Sequence, residues 1–212
     1  MRKELDSSNF VSIQNKISNL KLDIRYYGDY NFVGTRIDGY KKPLALLTMP
    51  AFVCLYEANK EFEKLGYGIL VYDAYRPVKA VEHFKRWAKD VDDIKMKKEF
   101  YPDVNKKDLF ALDYIAEKSS HSRGSTIDLT LYDLISEEVL DMGTPFDFFS
   151  ETSHSDYTET LTSKQIKNRK LLKDTMVKHG FSPLYSEWWH FTMKIEPYQD
   201  TYFEFDIDDN VL

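Results

Sequence analysis

Between Pro50 and Leu65 the apolar residues Phe52, Leu55, Tyr56, Phe62 and Leu65 recur close to the helical period. Gly66 follows where a left-handed cap is wanted, so the spacing predicts a helix over 50–65. The run GILVYDAY (68–75) is almost continuously apolar and reads as a buried strand leading to Arg76. Pro77 suits the first position of a second helix, whose apolar stripe would be Val78, Val81, Phe84, Trp87, Val91 and Ile94. DLFALDYIAEK (108–118) predicts a shorter helix. In STIDLTLYD (125–133), Ile127, Leu129 and Leu131 alternate with Asp128, Thr130 and Tyr132, which predicts a strand with one apolar and one polar face. MGTPFDFF (142–149) reads as a loop. Residues 163–180 predict a helix starting at a Ser cap, with Ile166, Leu172 and Met176 inward and Gly180 beyond its end. EWWHFTMKI (187–195) completes the set as an alternating, aromatic strand, and 21–40 reads as irregular structure around turns. Helices and strands mix without a regular βαβ rhythm. The expectation is a single α+β domain with a largely antiparallel sheet flanked by helices, with 1–20 as an N-terminal extension and 200–212 as an acidic, solvated tail.

Composition narrows the chemistry. The chain has 212 residues and a net charge of −6, which disfavours nucleic acid or an anionic membrane as partner. Aromatic residues make up 15%, enough for a packed core and a ring-lined pocket. The start, MRKELDSSNF, is charged and lacks the apolar run of a secretory leader, and no stretch approaches the roughly 18 apolar residues of a membrane span. A cytoplasmic protein is therefore expected. Cys54 is the single cysteine, so no intrachain disulfide and no cysteine-rich metal cluster can form; in AFVCLYEA it reads as an inert, buried thiol.

Five histidines occur, at 83, 121, 154, 179 and 190. His121 sits in the Ser/Gly-rich SSHSRGSTIDL, with Asp128 following on the polar face of its strand. His190 sits in EWWHF, three residues after Glu187. Two imidazoles and one carboxylate form a known catalytic zinc set, and a further carboxylate can act as general base. Spacing alone leaves a second reading open: a loop histidine, a turn aspartate and a core histidine between tryptophans. His179 before Gly180 suits a helix C-terminus, and His83 falls on a lysine-rich helix. Arg123 reads as a loop-bracing charge, and of Trp188 and Trp189 one would be core and the other would wall the pocket.

The motif SSHSRGSTID resembles the S-x-H-x-x-G-x-A-x-D signature of the D-alanyl-D-alanine metallopeptidases, which share the hedgehog/DD-peptidase fold. EWWHF resembles their E-x-W-H motif and YDAYRP their strand-ending Y-R-P segment. MGTPFDFFSETSH and NRKLLKDTMVKHGF are similar to the VanX-type D-Ala-D-Ala dipeptidases, and the likeness runs from about Tyr26 to Lys194 in the family's order. One departure is Thr126 where the pattern has Ala, which predicts crowding beside the ligand strand without loss of the site.

The resemblance implies one Zn²⁺ per chain bound by His121, Asp128 and His190. It further implies Glu187 as general base, Arg76 beside the scissile carbonyl, Ser119 and Tyr26 as substrate contacts, and Asp147 facing the substrate's ammonium. The implied activity is zinc-dependent hydrolysis of the D-Ala-D-Ala dipeptide. A carboxypeptidase trimming D-Ala from longer wall peptides and a zinc-binding module without turnover are the alternatives. One geometric demand follows. In a regular strand Glu187 and His190 point to opposite faces, so Glu187 must lie before the strand or at an irregularity to reach the same centre.

Overall fold

The computed structural model describes residues 9–112 and 114–211. Five strands form the main sheet: β2 (Leu20–Leu22), β4 (Tyr67–Asp73), β5 (Thr126–Asp133), β7 (Glu187–Met193) and β6 (Phe181–Leu184), in that spatial order. Only the β2–β4 pair is parallel, so the sheet is largely antiparallel, as expected. A separate ribbon pairs β1 (Phe10–Ser12) with β3 (Leu46–Thr48). Residues 10–17 are thus woven into the fold, with Phe10, Val11, Ile13 and Ile17 buried.

Helix α1 (Met49–Lys64) matches its predicted span, and Gly66 takes the left-handed conformation at φ +89° that ends it. Its buried side is Ala51, Leu55, Ala58 and Phe62, which packs toward β4 and α4 (Ser163–Lys178). Tyr56 and Leu65 face solvent instead. Helix α2 (Val78–Lys89) starts with Pro77 as its cap and stops before Val91 and Ile94, both exposed. A four-residue helix, α3 (Lys97–Phe100), follows. The cap of α4 is Thr162, one residue earlier than expected. Its hydroxyl accepts from the Gln165 backbone while the Gln165 side chain accepts from the Thr162 N–H, a reciprocal capping box.

The helix expected over 108–118 fails because tertiary burial outweighs local pattern. Of that span, Asp113 lies outside the described residues; Asp108 ends a short 3-10 helix, Lys106–Asp108, and the other described residues run through turns and bends. The Leu109 carbonyl accepts from the backbone N–H groups of both Tyr114 and Ile115, a wide turn that drives Leu109 and Ile115 into the interior. The polar face of β5 is turned to the interior: Asp128, Thr130 and Tyr132 are as buried as Ile127, Leu129 and Leu131. α1 and α4 lie against the sheet, and the 142–149 loop closes on it as well, stacking Phe146 on Tyr72 at a ring separation of 4.6 Å. The tail is not solvated either. Phe203 and Ile207 are buried, and the backbone N–H groups of Lys41 and Lys42 both donate to the Ile207 carbonyl.

No helix among the described residues is long and apolar enough to cross a membrane. Cys54 is half-buried, and burial pushes its thiol up.

Candidate metal centre and catalytic cavity

Three adjacent strands deliver the centre through their register. Asp128 on β5 lies directly opposite His190 on β7, so the alternation of side chains puts both on one face. On the other flank a bulge at Tyr72–Asp73 sets Asp73, rather than Tyr72, opposite Asp128. His121 enters from outside the sheet on a short turn, Ser120–Arg123, which ends at Gly124 with φ +81°. A Cβ on Gly124 would lie 2.2 Å from the Phe10 ring, so only glycine lets the ribbon pack this tightly under the ligand turn.

Three donor atoms converge. His121 Nε2 lies 3.2 Å from His190 Nδ1 and 3.3 Å from Asp128 Oδ2, and His190 Nδ1 lies 3.2 Å from Asp128 Oδ1. Donors held about 2.0–2.1 Å from one ion at tetrahedral angles stand roughly 3.3 Å apart, so the spacing of the two imidazoles and the carboxylate suits zinc. Asp128 Oδ1 is buried without a hydrogen-bond partner, an orphan a cation would satisfy. The remaining imidazole nitrogens are oriented by neighbours: His121 Nδ1 donates to the Ala74 carbonyl at 2.7 Å, and His190 Nε2 meets the hydroxyls of Ser120 and Thr192, each at 3.3 Å. Among the described residues the cluster that could hold a metal comprises these three residues and no fourth.

The electrostatics ask for positive charge. Asp73, Asp128, Asp147 and Glu187 crowd the centre, against Arg76 and two imidazoles. Burial pushes Asp147 well above the usual carboxylate range, with Asp128 and Glu187 adding to the rise. Burial also raises Glu187, with Asp128 adding to it and His190 opposing. Asp128 alone is drawn down, because the two imidazoles outweigh its burial.

Glu187 reaches the centre, its Oε2 lying 3.5 Å from His190 Nδ1. It meets the demand stated above. It is the first residue of β7, and the β6–β7 register slips between Pro183 and Leu184, turning Glu187 to the His190 side. Arg76 follows the end of β4 and lines the cavity, its side chain 13% exposed. Asp73 Oδ2 accepts from its Nε and pairs with its Nη2, each at 2.9 Å, and its guanidinium lies 4.9 Å from the Tyr26 ring centre. Tyr26 donates its hydroxyl to Asp147 Oδ2 at 2.9 Å. Asp147 itself adopts a left-handed φ of +60°, a strained conformation for a non-glycine residue. Ser119 borders the cavity and caps the His121 turn, accepting from the His121 N–H at 3.3 Å. All eight residues singled out from the sequence therefore line one cavity of about 860 Å³, walled by Tyr26, Phe32, Phe84, Tyr114 and Phe149.

The remaining polar residues sort differently. Thr126 is accommodated by a hydroxyl contact with Thr192 at 2.9 Å. Arg123 is held bidentately by Glu196, and His179 Nε2 meets Glu61 at 2.7 Å. His83 Nδ1 accepts from the Asp38 N–H. His154 borders the cavity mouth. Trp188 and Trp189 are both buried and neither walls this cavity; Trp188 lines a separate cleft of about 290 Å³. Asp73 and Tyr40 were not singled out from the sequence. Asp73 precedes Arg76 by three residues in YDAYRP, a readable signal. Tyr40, which donates to Asp73 Oδ1 at 2.7 Å, carries none.

A family model described as D-Ala-D-Ala dipeptidase matches residues 6–208. The D-alanyl-D-alanine dipeptidase of Enterococcus faecalis (strain ATCC 700802 / V583) is 39% identical over 92% of this chain and 96% of its own length. That of Streptomyces coelicolor (strain ATCC BAA-471 / A3(2) / M145) is 36% identical over 95% and 99%, and that of Enterococcus faecium 35% over 93% and 98%. By this near full-length match, the chain belongs to the D-Ala-D-Ala dipeptidase family of M15 peptidases.

Proposed function

We propose that this chain hydrolyses the free D-Ala-D-Ala dipeptide to two molecules of D-alanine, with one zinc ion held by His121, Asp128 and His190. The observation that carries the reading is the approach of the two imidazoles and the Asp128 carboxylate to within 3.2–3.3 Å of one another, with the Glu187 carboxylate alongside, in a chain of this family. When bound, zinc would supply Lewis acidity that polarises a peptide carbonyl and makes water a stronger acid.

The chain's own residues do the rest. Glu187 accepts the proton of the attacking water as the new C–O bond forms, then passes it to the amine as the C–N bond breaks. Its burial supports this role, because a raised carboxyl is a better base and a competent acid for the second half of the reaction. Arg76, braced by Asp73, faces the developing oxyanion; one such donor is worth about 3–4 kcal/mol. Asp147, with Tyr26 donating to it, receives the dipeptide's ammonium. That cation would draw the buried carboxyl back toward its ionised form. A longer peptide offers an amide there and leaves Asp147 unpaired, which penalises it. Ser119, which lines the same cavity, is a further substrate contact.

The test measures D-alanine release from D-Ala-D-Ala and from a wall pentapeptide ending in the same unit, alongside zinc content. Preference for the dipeptide is expected; preference for the pentapeptide would transfer the assignment to a carboxypeptidase and strip Asp147 of its role. Glu187→Ala should retain zinc and lose on the order of 10²–10⁴ in kcat. Undiminished turnover would reject Glu187 as the base.

A further inference from the structure

The segment NRKLLKDTMVKHGF forms α4 and the start of β6, and none of its side chains borders the catalytic cavity. Yet α4 buries an arginine. Arg169 is only 5% exposed, and no carboxylate stands within ion-pair distance of it among the described residues. A buried guanidinium without an acid partner is costly unless its donors are filled. Its donors are filled by one loop. Arg169 Nε donates to the Met142 carbonyl at 2.6 Å, Nη1 to the His154 carbonyl at 3.1 Å, and Nη2 to the Thr152 carbonyl at 3.0 Å and the Thr144 hydroxyl at 3.3 Å. These acceptors lie on both legs of the loop, at 142–144 and at 152–154. Asp147 sits between the legs. The residue before Arg169 adds to the grip, with Asn168 Nδ2 donating to the Asp141 carbonyl at 2.8 Å.

Thr144 makes this a junction. Its hydroxyl also accepts from the Trp188 indole N–H at 2.9 Å and lies 3.0 Å from the Ser153 hydroxyl, so Arg169, the loop and the residue after Glu187 share one atom. The loop needs such a clasp because its apex is strained. Asp147 holds a left-handed φ and a buried carboxyl, and both would relax if the two legs could part.

We propose that Arg169 is a positioning residue for dipeptide recognition: by bridging the two legs of the 141–154 loop it fixes the Asp147 carboxyl against Tyr26, where a substrate ammonium would bind. The inference rests on the dipeptidase reading and deepens it. Arg169 touches neither substrate nor metal; it acts through the loop. Lysine cannot replace it, because one ammonium cannot span acceptors on both legs in the planar fork that the guanidinium provides.

The experiment compares wild type, Arg169→Gln, Arg169→Lys, Thr144→Val and Leu172→Ala as zinc-loaded proteins. Each is assayed for KM and kcat on D-Ala-D-Ala, for turnover of the N-acetylated dipeptide, for zinc content and for Tm. Leu172→Ala, on the core side of the same helix, controls for lost stability alone. Arg169→Gln should raise KM by about tenfold, with kcat changed far less, and should narrow the preference for the free ammonium over its acetylated form by a similar factor. Arg169→Lys should resemble Arg169→Gln rather than wild type, Thr144→Val should shift KM in the same direction by less, and all should keep zinc. If Arg169→Gln lowers Tm as Leu172→Ala does while KM and ammonium preference stay at wild-type values, Arg169 is a fold residue only and the inference falls. If Arg169→Gln does not fold, Thr144→Val decides by the same criterion. Absence of dipeptide turnover in wild type would overturn the functional reading itself, and the inference with it.

Discussion

Replacing Asp73 by Asn tests the electrostatic frame beneath the whole site. The carboxylate is 1% exposed; it takes the Tyr40 hydroxyl at 2.7 Å and the Nε and Nη2 of Arg76 at 2.9 Å each, with His121 Nδ1 at 3.6 Å. Asparagine can still accept from Tyr40 through its carbonyl oxygen, but it turns an amide donor toward a guanidinium that also donates. Breaking a buried ion pair by removing one partner costs about 3–5 kcal/mol, because the other charge is left without compensation. Two observations favour the lower end. Arg76 keeps Asp128 at 3.6 Å, and removing Asp73 relieves the repulsion between two carboxylates that now face each other across β4 and β5. The expected loss is therefore about 3 kcal/mol, which for a chain of this size lowers Tm by about 6–12 °C. Urea denaturation at fixed zinc measures the loss, and turnover of D-Ala-D-Ala should fall with it because Arg76 is freed to rotate. A double-mutant cycle with Arg76→Met isolates the pair. A loss below about 1 kcal/mol, with no coupling to Arg76, would refute the argument that Asp73 holds this frame.

Two further outcomes bear on the same architecture. Stripping metal with a chelator should lower Tm by about 5–10 °C relative to protein in zinc at one hundred times its dissociation constant, since such binding is worth about 2.7 kcal/mol; calorimetry on Asp128→Asn should show no such response, and an equal response there would exclude Asp128 as a ligand. Thr162→Ala should cost about 1 kcal/mol in urea denaturation by removing the capping box of α4, and Thr162→Ser should restore most of it.

Much of the centre could be read along the chain because its parts are local. The turn that presents His121 and the strand that presents Asp128 are contiguous, with Gly124 between them. Arg76 stands at the end of an apolar run, where a strand must stop. The need for an irregularity at Glu187 follows from side-chain alternation alone, and the β6–β7 slip supplies it. The placement of Asp73 opposite Asp128 is hidden for the converse reason. By simple alternation Tyr72 would oppose Asp128, and only a bulge, invisible in the sequence, brings Asp73 there. The polar face of β5 could be read from its alternation, but pattern cannot tell water from a buried polar network, so its burial is a tertiary fact. Leu109 and Ile115 suggested a helix because burial from two sides leaves the same apolar trace as a helical stripe.

The sequence by itself marked the candidate donor residues, through their resemblance to family motifs, and predicted the helices α1, α2 and α4 and the largely antiparallel sheet. These depend on side-chain chemistry and on periods of two and 3.6 residues, which are properties of neighbours along the chain. Only the tertiary structure decided that segments 121–128 and 187–190 meet within 3.3 Å, that the tail and residues 10–17 seal the core, and that Arg169 grips the Asp147 loop from behind. Those contacts join residues far apart in sequence, and their energy comes from excluding water between them, a quantity no single segment carries.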